Sequence, residues 1–286
     1  MAVEEQNYLF CFLDVLGFSN IVKTRGLSDL YTDYRELIEA ASDNTHDGLV
    51  FSSWDGVPYF GMERFDSTYF SDTIVFWGAY HRRKLQSLCY TAMEVMCRAI
   101  EIGLPLRGSI SAGAAILDKS QNHFLGKPVV NAAEAEKVQR WIGVTLSKEF
   151  REAPFNVGFS AACLMPWERH LKEGGLAAVT PLVLDYPRWW RKSRRGSLQQ
   201  AVSRLDTNPD CSDIYQNTLI FCDYSEANPR WWEQHEGYRE RDAQPGSQPI
   251  GSEGAAAPVC PQNRAYGSVH GSSRKSYPLT HIKPVR

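Results

Sequence analysis

Hydrophobic and polar positions divide sharply near the start of the chain. An apolar run over residues 8–13 has the length and aromatic content of a buried strand, and it ends abruptly on Asp14. From Gly17 to about Ser42, apolar residues recur at roughly helical spacing, with Gly26 as a candidate break. The pattern therefore predicts strand, loop and helix, and it leaves a carboxylate at the C-terminal tip of the strand.

The middle of the chain shows two more patterns. Two extended runs lie between residues 59 and 77 and meet at Ser71 and Asp72, which predicts a β-hairpin. Residues 80–102 carry one apolar stripe at helical spacing, and Gly103 stops it. We expect a long helix packed against the strands.

A third strand and a second helix follow. Residues 104–117 alternate small and apolar residues without helix formers, which favours a strand. The segment after Asn131 is strongly helical, and residues 144–147 read as a short closing strand. The predicted order is β-α-β-β-α-β-α-β, a ferredoxin-like succession of the α+β class, with helices covering a mixed or antiparallel sheet.

The rest of the chain divides into two parts. Residues 148–224 mix apolar segments with charged turns, and we expect them to extend the unit whose core motifs span 8–147, giving one domain over 1–224. From residue 225 the chain becomes rich in Gly, Pro, Ser and Gln without periodicity. That composition predicts a disordered tail over 225–286.

Composition narrows the classes of partner. The formal net charge is -2, so the total gives no reason to expect nucleic acid. The arginine- and tryptophan-containing segment 188–195 is better explained as a packed Trp pair on a charged surface than as a nucleic-acid contact. No run of about 18 apolar residues is present, and the N-terminus carries two glutamates where a signal peptide would be basic. We expect a cytoplasmic protein with no membrane partner.

Seven cysteines are scattered singly, with no C-x-x-C pair. Their odd number and spacing favour reduced thiols over a zinc site or a disulfide framework. The histidines likewise show no zinc-hydrolase pairing.

Two carboxylates are the first candidates for chemistry. The predicted topology sets Asp14, at a strand tip, beside Asp72, at a hairpin tip, and two short, hard carboxylates suit Mg²⁺ or Mn²⁺. Gly17, Phe18 and Ser19 then offer backbone N–H groups at a helix N-terminus, where a triphosphate can bind. The alternative is structural, because aspartate also favours helix caps and turns.

Four motifs in order carry a resemblance to a known family. They are FLDVLGF, SDT, RGSISAG and GKPVVNAA, and they span about residues 8–147, half of the chain. In order and approximate spacing the chain resembles the catalytic domain of class III nucleotidyl cyclases. The likeness implies a lyase that works as a homodimer with sites shared across the interface.

The resemblance also implies roles for particular residues. Asp14 and Asp72 match the two metal-binding aspartates of the family, with Val15 beside them, and would hold two Mn²⁺ or Mg²⁺ ions across the triphosphate. Asn131 matches the asparagine that positions the ribose.

The residues that read a purine base in the family are missing. The position four residues before the hairpin aspartate, a Lys or Glu in purine cyclases, is Thr68. The second reader falls on His123 or Phe124, and neither is acidic. Another base or a dead enzyme would explain this departure. Three aromatic residues on the hairpin, Tyr69, Phe65 and Tyr59, are candidates for base stacking, although aromatic strand residues are more often core.

The family's catalytic arginine is also missing. The position four residues after Asn131 is Ala135. Another cation would have to stabilise charge in the transition state, and Arg107, Lys137 and Arg140 are candidates. For the last two, simple solvation of a helix is an equal alternative.

The combination of motifs looks like the pyrimidine cyclases of bacterial antiphage defence, the Pycsar systems. That resemblance implies conversion of UTP to 3′,5′-cyclic UMP and diphosphate, with a separate effector activated by the product. CTP and cyclic CMP are an alternative that the sequence leaves open. Two further alternatives are a degenerate cyclase-like module that binds a nucleotide without chemistry and, more distantly, a polymerase-like palm domain.

Overall fold

The N-terminal apolar run forms the centre of a β-sheet. The computed structural model describes residues 5–43, 51–54, 57–60, 65–121, 123–151, 163–205 and 211–231. Strand β1 (Gln6–Val15) pairs antiparallel with β5 (Thr73–Ala79) on one side and with β6 (Leu106–Asp118) on the other. Because both neighbours flank β1 along most of its length, its residues from Leu9 to Leu13 alternate between two covered faces and are largely buried.

Eight of the described strands share this sheet. Its order is β4-β5-β1-β6-β8-β10-β9, with β7 paired to the far part of β6. The pairing of β6 with β8 is parallel and the other pairings are antiparallel. The further strands are β2 (Phe51–Trp54), β3 (Val57–Phe60), β4 (Asp66–Phe70), β7 (His123–Gly126), β8 (Val144–Ser147), β9 (Leu164–Pro166) and β10 (Val179–Leu184); β2 and β3 form a separate pair.

The ferredoxin-like succession is confirmed by the sheet order. Strands β1, β4, β5 and β6, with helices after β1 and after β5, give a βαββαβ unit whose spatial order is second, third, first, fourth. The helices after β1 are α1 (Phe18–Thr24) and α2 (Leu27–Asp43), and α3 (Arg82–Glu101) follows β5. The break between α1 and α2 falls at Arg25 and Gly26, as the glycine indicated.

The two sheet faces are covered by different helices. Alternate β1 residues, including Leu9 and Leu13, pack in the larger core with α2 and α3. Phe10, Val75 and Trp77 face the other side, where α4 (Lys127–Lys137) contributes Ala132 to a smaller cluster. Helix α4 begins before Asn131 and ends earlier than its sequence suggested, because residues after Lys137 leave the helix to pair with residue 171 and the sheet edge.

The C-terminal elements extend the same core. Helices α5 (Tyr186–Ser193) and α6 (Leu198–Ser203) pack on α3, and α7 (Ser212–Ala227) packs on α5 and α6. The Thr218 hydroxyl on α7 accepts a hydrogen bond from the Ile142 N–H at 2.9 Å. The expected tail boundary at residue 225 is too early, because α7 runs to Ala227 and Trp231 is 2% exposed. Residues 232–286 lie outside the described residues.

Two local features differ from the prediction and one agrees with it. The extended run at 59–70 is divided between β3 and β4, and residues 61–64 lie outside the described residues. Strand β7 precedes α4 and was not predicted, because its four residues are too few to show a period. The Trp pair of segment 188–195 is packed as expected, with Trp190 4% exposed. No helix within the described ranges is long and apolar enough to cross a membrane.

Candidate active site

Asp14 and Asp72 lie at the same end of the central sheet. In the antiparallel pairing of β1 with β5, Asp14 lies opposite Thr73. The β4–β5 turn, which carries Asp72, is therefore next to the end of β1. The Val15 N–H donates to the Asp72 carbonyl oxygen at 2.8 Å and fixes the two segments together. Ser71 adopts a φ of 56°, which closes the turn tightly before Asp72. The sequence prediction that these aspartates meet is consistent with this register.

The carboxyl of Asp14 is electrostatically uncompensated. Burial raises its pKa to about 7, and the negative charges of Glu136 and Asp72 add to that shift, while Arg107 opposes it. Among the described residues, none donates a hydrogen bond to the Asp14 or Asp72 carboxylate. A partly buried carboxyl whose pKa a second carboxylate raises at one strand end is an arrangement that a divalent cation stabilises.

The donor set fits a hard divalent cation bound by few protein ligands. It consists of the Asp14 and Asp72 carboxylates with the Val15 backbone oxygen nearby in sequence. Within the described ranges, no three His, Cys, Asp or Glu side chains are grouped closely enough to bind a metal by themselves. Mg²⁺ usually keeps several waters and takes only one or two carboxylates together with phosphate oxygens. The pair is therefore suited to a cation that arrives with a phosphorylated substrate.

The loop after Asp14 is held in a tight conformation. Gly17 has φ 70°, a left-handed geometry that favours glycine, and it caps α1. Its carbonyl oxygen accepts hydrogen bonds from the N–H groups of Asn20 at 2.9 Å and Ile21 at 3.1 Å. The first-turn N–H groups of Phe18 and Ser19 have no acceptor within the helix, as at any helix start. The predicted phosphate-binding loop thus stands directly beside the aspartates.

Arg107 lies at the site but is already engaged. Its backbone lies opposite that of Asp14 in the antiparallel pairing of β1 with β6. Its Nε donates to Glu136 Oε1 at 2.5 Å, and its Nη1 donates to the Gln139 carbonyl oxygen at 2.9 Å. The Arg107 side chain is 14% exposed and that of Glu136 is 5% exposed, so this is a largely buried ion pair. Arg107 is therefore a positive charge that these contacts hold in place beside the site.

Asn131 is separated from the aspartates within one chain. Its Nδ2 donates to Glu149 Oε2 at 3.3 Å, and Glu149 Oε1 in turn accepts from the Ala112 N–H at 2.9 Å. Ala112 is five residues along β6 from Arg107, which is ~17 Å at the rise of a β-strand. Through Glu149, the Asn131 side chain therefore contacts the part of β6 around Ala112 and not Arg107, which lies opposite Asp14.

The three candidate base readers are also dispersed. Thr68 is half-buried on β4. It lies opposite Val75 of β5, which in turn lies opposite Phe12 of β1, two residues before Asp14. His123 is exposed and pairs with Asp118 at the far end of β6. The neighbouring Phe124 ring packs edge-on against Trp77, with ring centroids 5.1 Å apart. His123 and Phe124 thus lie with Asn131, away from the aspartates.

The other cations that sequence offered have different surroundings. Arg140 donates through Nε to Asp213 at 3.1 Å and is exposed, so it stabilises the contact between α7 and the sheet edge. Lys137 is exposed at the end of α4. Ala135 is fully buried, so its position faces the core within this chain.

Sequence reasoning missed two residues beside the aspartates. Glu136 is 4% exposed and contributes to the raised pKa of Asp14, and its position next to buried Ala135 was the available indication. Tyr34 was placed in an apolar helical stripe, and its pattern gives no sign that the hydroxyl reaches the carboxylates. Burial, followed by the charges of Asp72 and Asp14, raises the pKa of that hydroxyl.

Known proteins provide structural matches only. No family model and no curated protein matches the chain. The guanylyl cyclase Cya2 aligns with a TM-score of 0.40 and 8% identity over 57% of this chain and 83% of its own. A bacterial light-regulated adenylyl cyclase aligns with a TM-score of 0.46 and 9% identity over 72% of this chain and 58% of its own. The adenylyl cyclase CyaB from P. aeruginosa aligns with a TM-score of 0.35 and 12% identity over 52% of this chain and 80% of its own. All three TM-scores lie below 0.5, so the function is argued from the chain's own residues.

Proposed function

We propose that this chain is a nucleotidyl cyclase, a lyase that converts a ribonucleoside triphosphate to its 3′,5′-cyclic monophosphate and diphosphate. The observation that carries the proposal is the meeting of Asp14 and Asp72 at one sheet end, without a compensating donor among the described residues. The loop at Gly17 supplies free N–H groups beside them. The order of the four sequence motifs supports the same reaction.

The chain's own residues would perform two tasks, binding the ions and orienting the phosphate groups. Asp14 and Asp72, with the Val15 carbonyl oxygen, would hold two Mg²⁺ or Mn²⁺ ions. Bound there, the ions supply activation of the ribose 3′-hydroxyl and neutralisation of the triphosphate charge. The N–H groups of Phe18 and Ser19 orient phosphate oxygens. Asp14 must lose its proton to bind a cation, and its pKa of about 7 predicts that cation affinity rises with pH through neutrality.

A second copy of the chain completes the site in this proposal. The side chain of Asn131, through Glu149, and the candidate base readers His123 and Phe124 contact parts of β6 away from Arg107, the residue opposite Asp14. A homodimer would bring Asn131 of one copy to the aspartates of the other, where it would position the ribose.

A pyrimidine is the preferred base. Thr68 and His123 or Phe124 stand where purine cyclases carry their readers, and a threonine hydroxyl offers one donor and two acceptor positions instead of a charge. We propose UTP as the substrate and cyclic UMP as the product, with CTP and cyclic CMP as the alternative. In the antiphage role implied by the resemblance, the product would activate a separate effector in the cytoplasm.

The test is a product assay with all four ribonucleoside triphosphates. Purified protein is incubated with Mn²⁺ and each triphosphate separately, and cyclic monophosphate is resolved by mass spectrometry. A cyclic pyrimidine product that disappears in Asp72→Ala is the expected result. A purine product would refute the base assignment, and full activity in Asp72→Ala would refute the metal assignment.

A degenerate nucleotide-binding module is the second candidate. Two observations favour it: Arg107 is occupied by Glu136, and the position of the family arginine is the buried Ala135. In that case the protein binds a triphosphate with Mn²⁺ and yields no cyclic product from any of the four. Retention of both aspartates favours the enzyme, because a binding domain has no need of two cation-binding carboxylates at one tip.

A further inference from the structure

Tyr34 on α2 presents an unsatisfied hydroxyl beside the candidate active site. The residue is 9% exposed, and its hydroxyl oxygen is buried without a hydrogen-bond partner among the described residues. Leaving a buried hydroxyl unpaired costs free energy, so such a group in a native protein calls for an explanation. Phenylalanine would fill the same space in the core without the hydroxyl group, so packing alone does not explain a tyrosine here.

Two ring contacts place Tyr34 between the chain segments that carry the aspartates. The Tyr34 ring packs against Phe18 with centroids 6.0 Å apart, and Phe18 follows Asp14 in the loop. On its other side the Tyr34 ring packs against the Tyr69 ring, with centroids 6.4 Å apart. Tyr69 lies on β4, shortly before the turn that carries Asp72. Tyr34 therefore bridges the two segments that carry the carboxylates, and both carboxylate charges act on its hydroxyl.

The form of the hydroxyl limits what it can bind. A tyrosine phenol is protonated at neutral pH, so the Tyr34 hydroxyl is a hydrogen-bond donor. A protonated phenol binds a metal poorly compared with carboxylates, whereas phosphate oxygens are strong acceptors. A suitable acceptor for this donor is an anionic oxygen of a ligand that binds between the two aspartates.

We propose that the Tyr34 hydroxyl donates a hydrogen bond to a phosphate oxygen of the cation-bound triphosphate, and so acts as a positioning residue. The inference rests on the proposed function, because it deepens the assignment of the same site. The rings of Phe18 and Tyr69 hold the hydroxyl in place before the substrate binds, which lowers the entropy lost on binding.

Tyr34→Phe tests the hydroxyl alone, since it keeps the ring packed on Phe18 and Tyr69. The probes are inorganic tripolyphosphate and 3′-deoxyuridine triphosphate, which lacks the attacking hydroxyl, each titrated by calorimetry with Mn²⁺ present. Loss of a hydrogen bond to a charged acceptor should weaken binding of both probes about tenfold or more. Affinity for Mn²⁺ without phosphate should stay at the wild-type value, because it does not depend on the missing bond, and the melting temperature of the ligand-free protein should not fall, because the variant removes an unpaired buried hydroxyl.

Tyr90→Phe is the matched control. Tyr90 is also a buried tyrosine, 3% exposed on α3, and its ring packs against Trp189, away from the aspartates, with ring centroids 5.4 Å apart. Probe affinity should be unchanged in this variant. Equal probe affinity in Tyr34→Phe and wild type overturns the inference, and so does an equal loss in both tyrosine variants.

The outcomes separate the inference from the proposed function. If the wild type makes a cyclic product and Tyr34→Phe matches it in KM and in probe affinity, the inference alone fails. If the wild type makes no cyclic product from any triphosphate, yet probe binding depends on Tyr34, the enzyme proposal fails and the binding role of Tyr34 stands.

Discussion

Replacing Asp14 by Asn should stabilise the cation-free protein at alkaline pH. In the folded chain the pKa of Asp14 is raised from 3.8 to about 7 by burial and by the charges of Glu136 and Asp72. Between those two pH values the folded state keeps a proton that the unfolded state releases. Stability therefore falls as pH rises through this window, and the full loss is present above pH 7.

The magnitude follows from the shift. A change from 3.8 to about 7 corresponds to about 4 kcal/mol at about 1.4 kcal/mol per pH unit. Asp14 is only partly buried, so solvent screening reduces the effect, and we expect roughly half of it, about 2 kcal/mol. Asparagine is nearly isosteric and stays neutral, so Asp14→Asn should gain this amount at pH 8 and little at pH 4.

The assay is urea unfolding of wild type and variant in EDTA at several pH values, with the difference in free energy of unfolding as the readout. Asp66→Asn, an exposed carboxylate on β4, is the control and should show no such pH dependence. Adding Mn²⁺ at pH 8 should reverse the order, because only the wild type offers the carboxylate. A difference between Asp14→Asn and wild type that is the same at pH 4 and pH 8 would refute the electrostatic account.

Three further predictions test the site and its supports. Mixing Asp72→Ala with Asn131→Ala, each inactive alone, should restore cyclase activity if sites are shared between two copies; inactivity of the mixture under conditions where copies exchange would contradict the shared site. Gly108→Ala should lower the free energy of unfolding by at least about 2 kcal/mol in urea melts, because its Cβ would overlap the Phe12 carbonyl oxygen. Gly26→Ala serves as the control, because its Cβ would make only an ordinary contact with Asp29 Oδ2 at 3.4 Å. Thr218→Val should cost about 1–3 kcal/mol in the same melts, because the buried Ile142 N–H loses its acceptor; an unchanged midpoint would show that α7 does not stabilise the sheet edge.

Local patterns were sufficient to predict the main elements. The apolar run of β1, the stripe of α3 and the hairpin turn at Asp72 are each set by short-range periodicity and turn chemistry, which act within a few residues. Boundaries were less well predicted. Strand β7 has four residues, and α4 ends at Lys137 because the next residues pair with a distant segment.

The sequence by itself determined the succession of strands and helices and the placement of Asp14 and Asp72 at strand and turn tips, because both follow from the order of apolar and polar residues. Tertiary structure decided which side chains those aspartates meet. The engagement of Arg107 by Glu136, the unpaired Tyr34 hydroxyl and the separation of Asn131 all depend on how α2 and α4 pack on the sheet. Such contacts join residues far apart in the chain, and a helical or strand period carries no information about the distance between two elements.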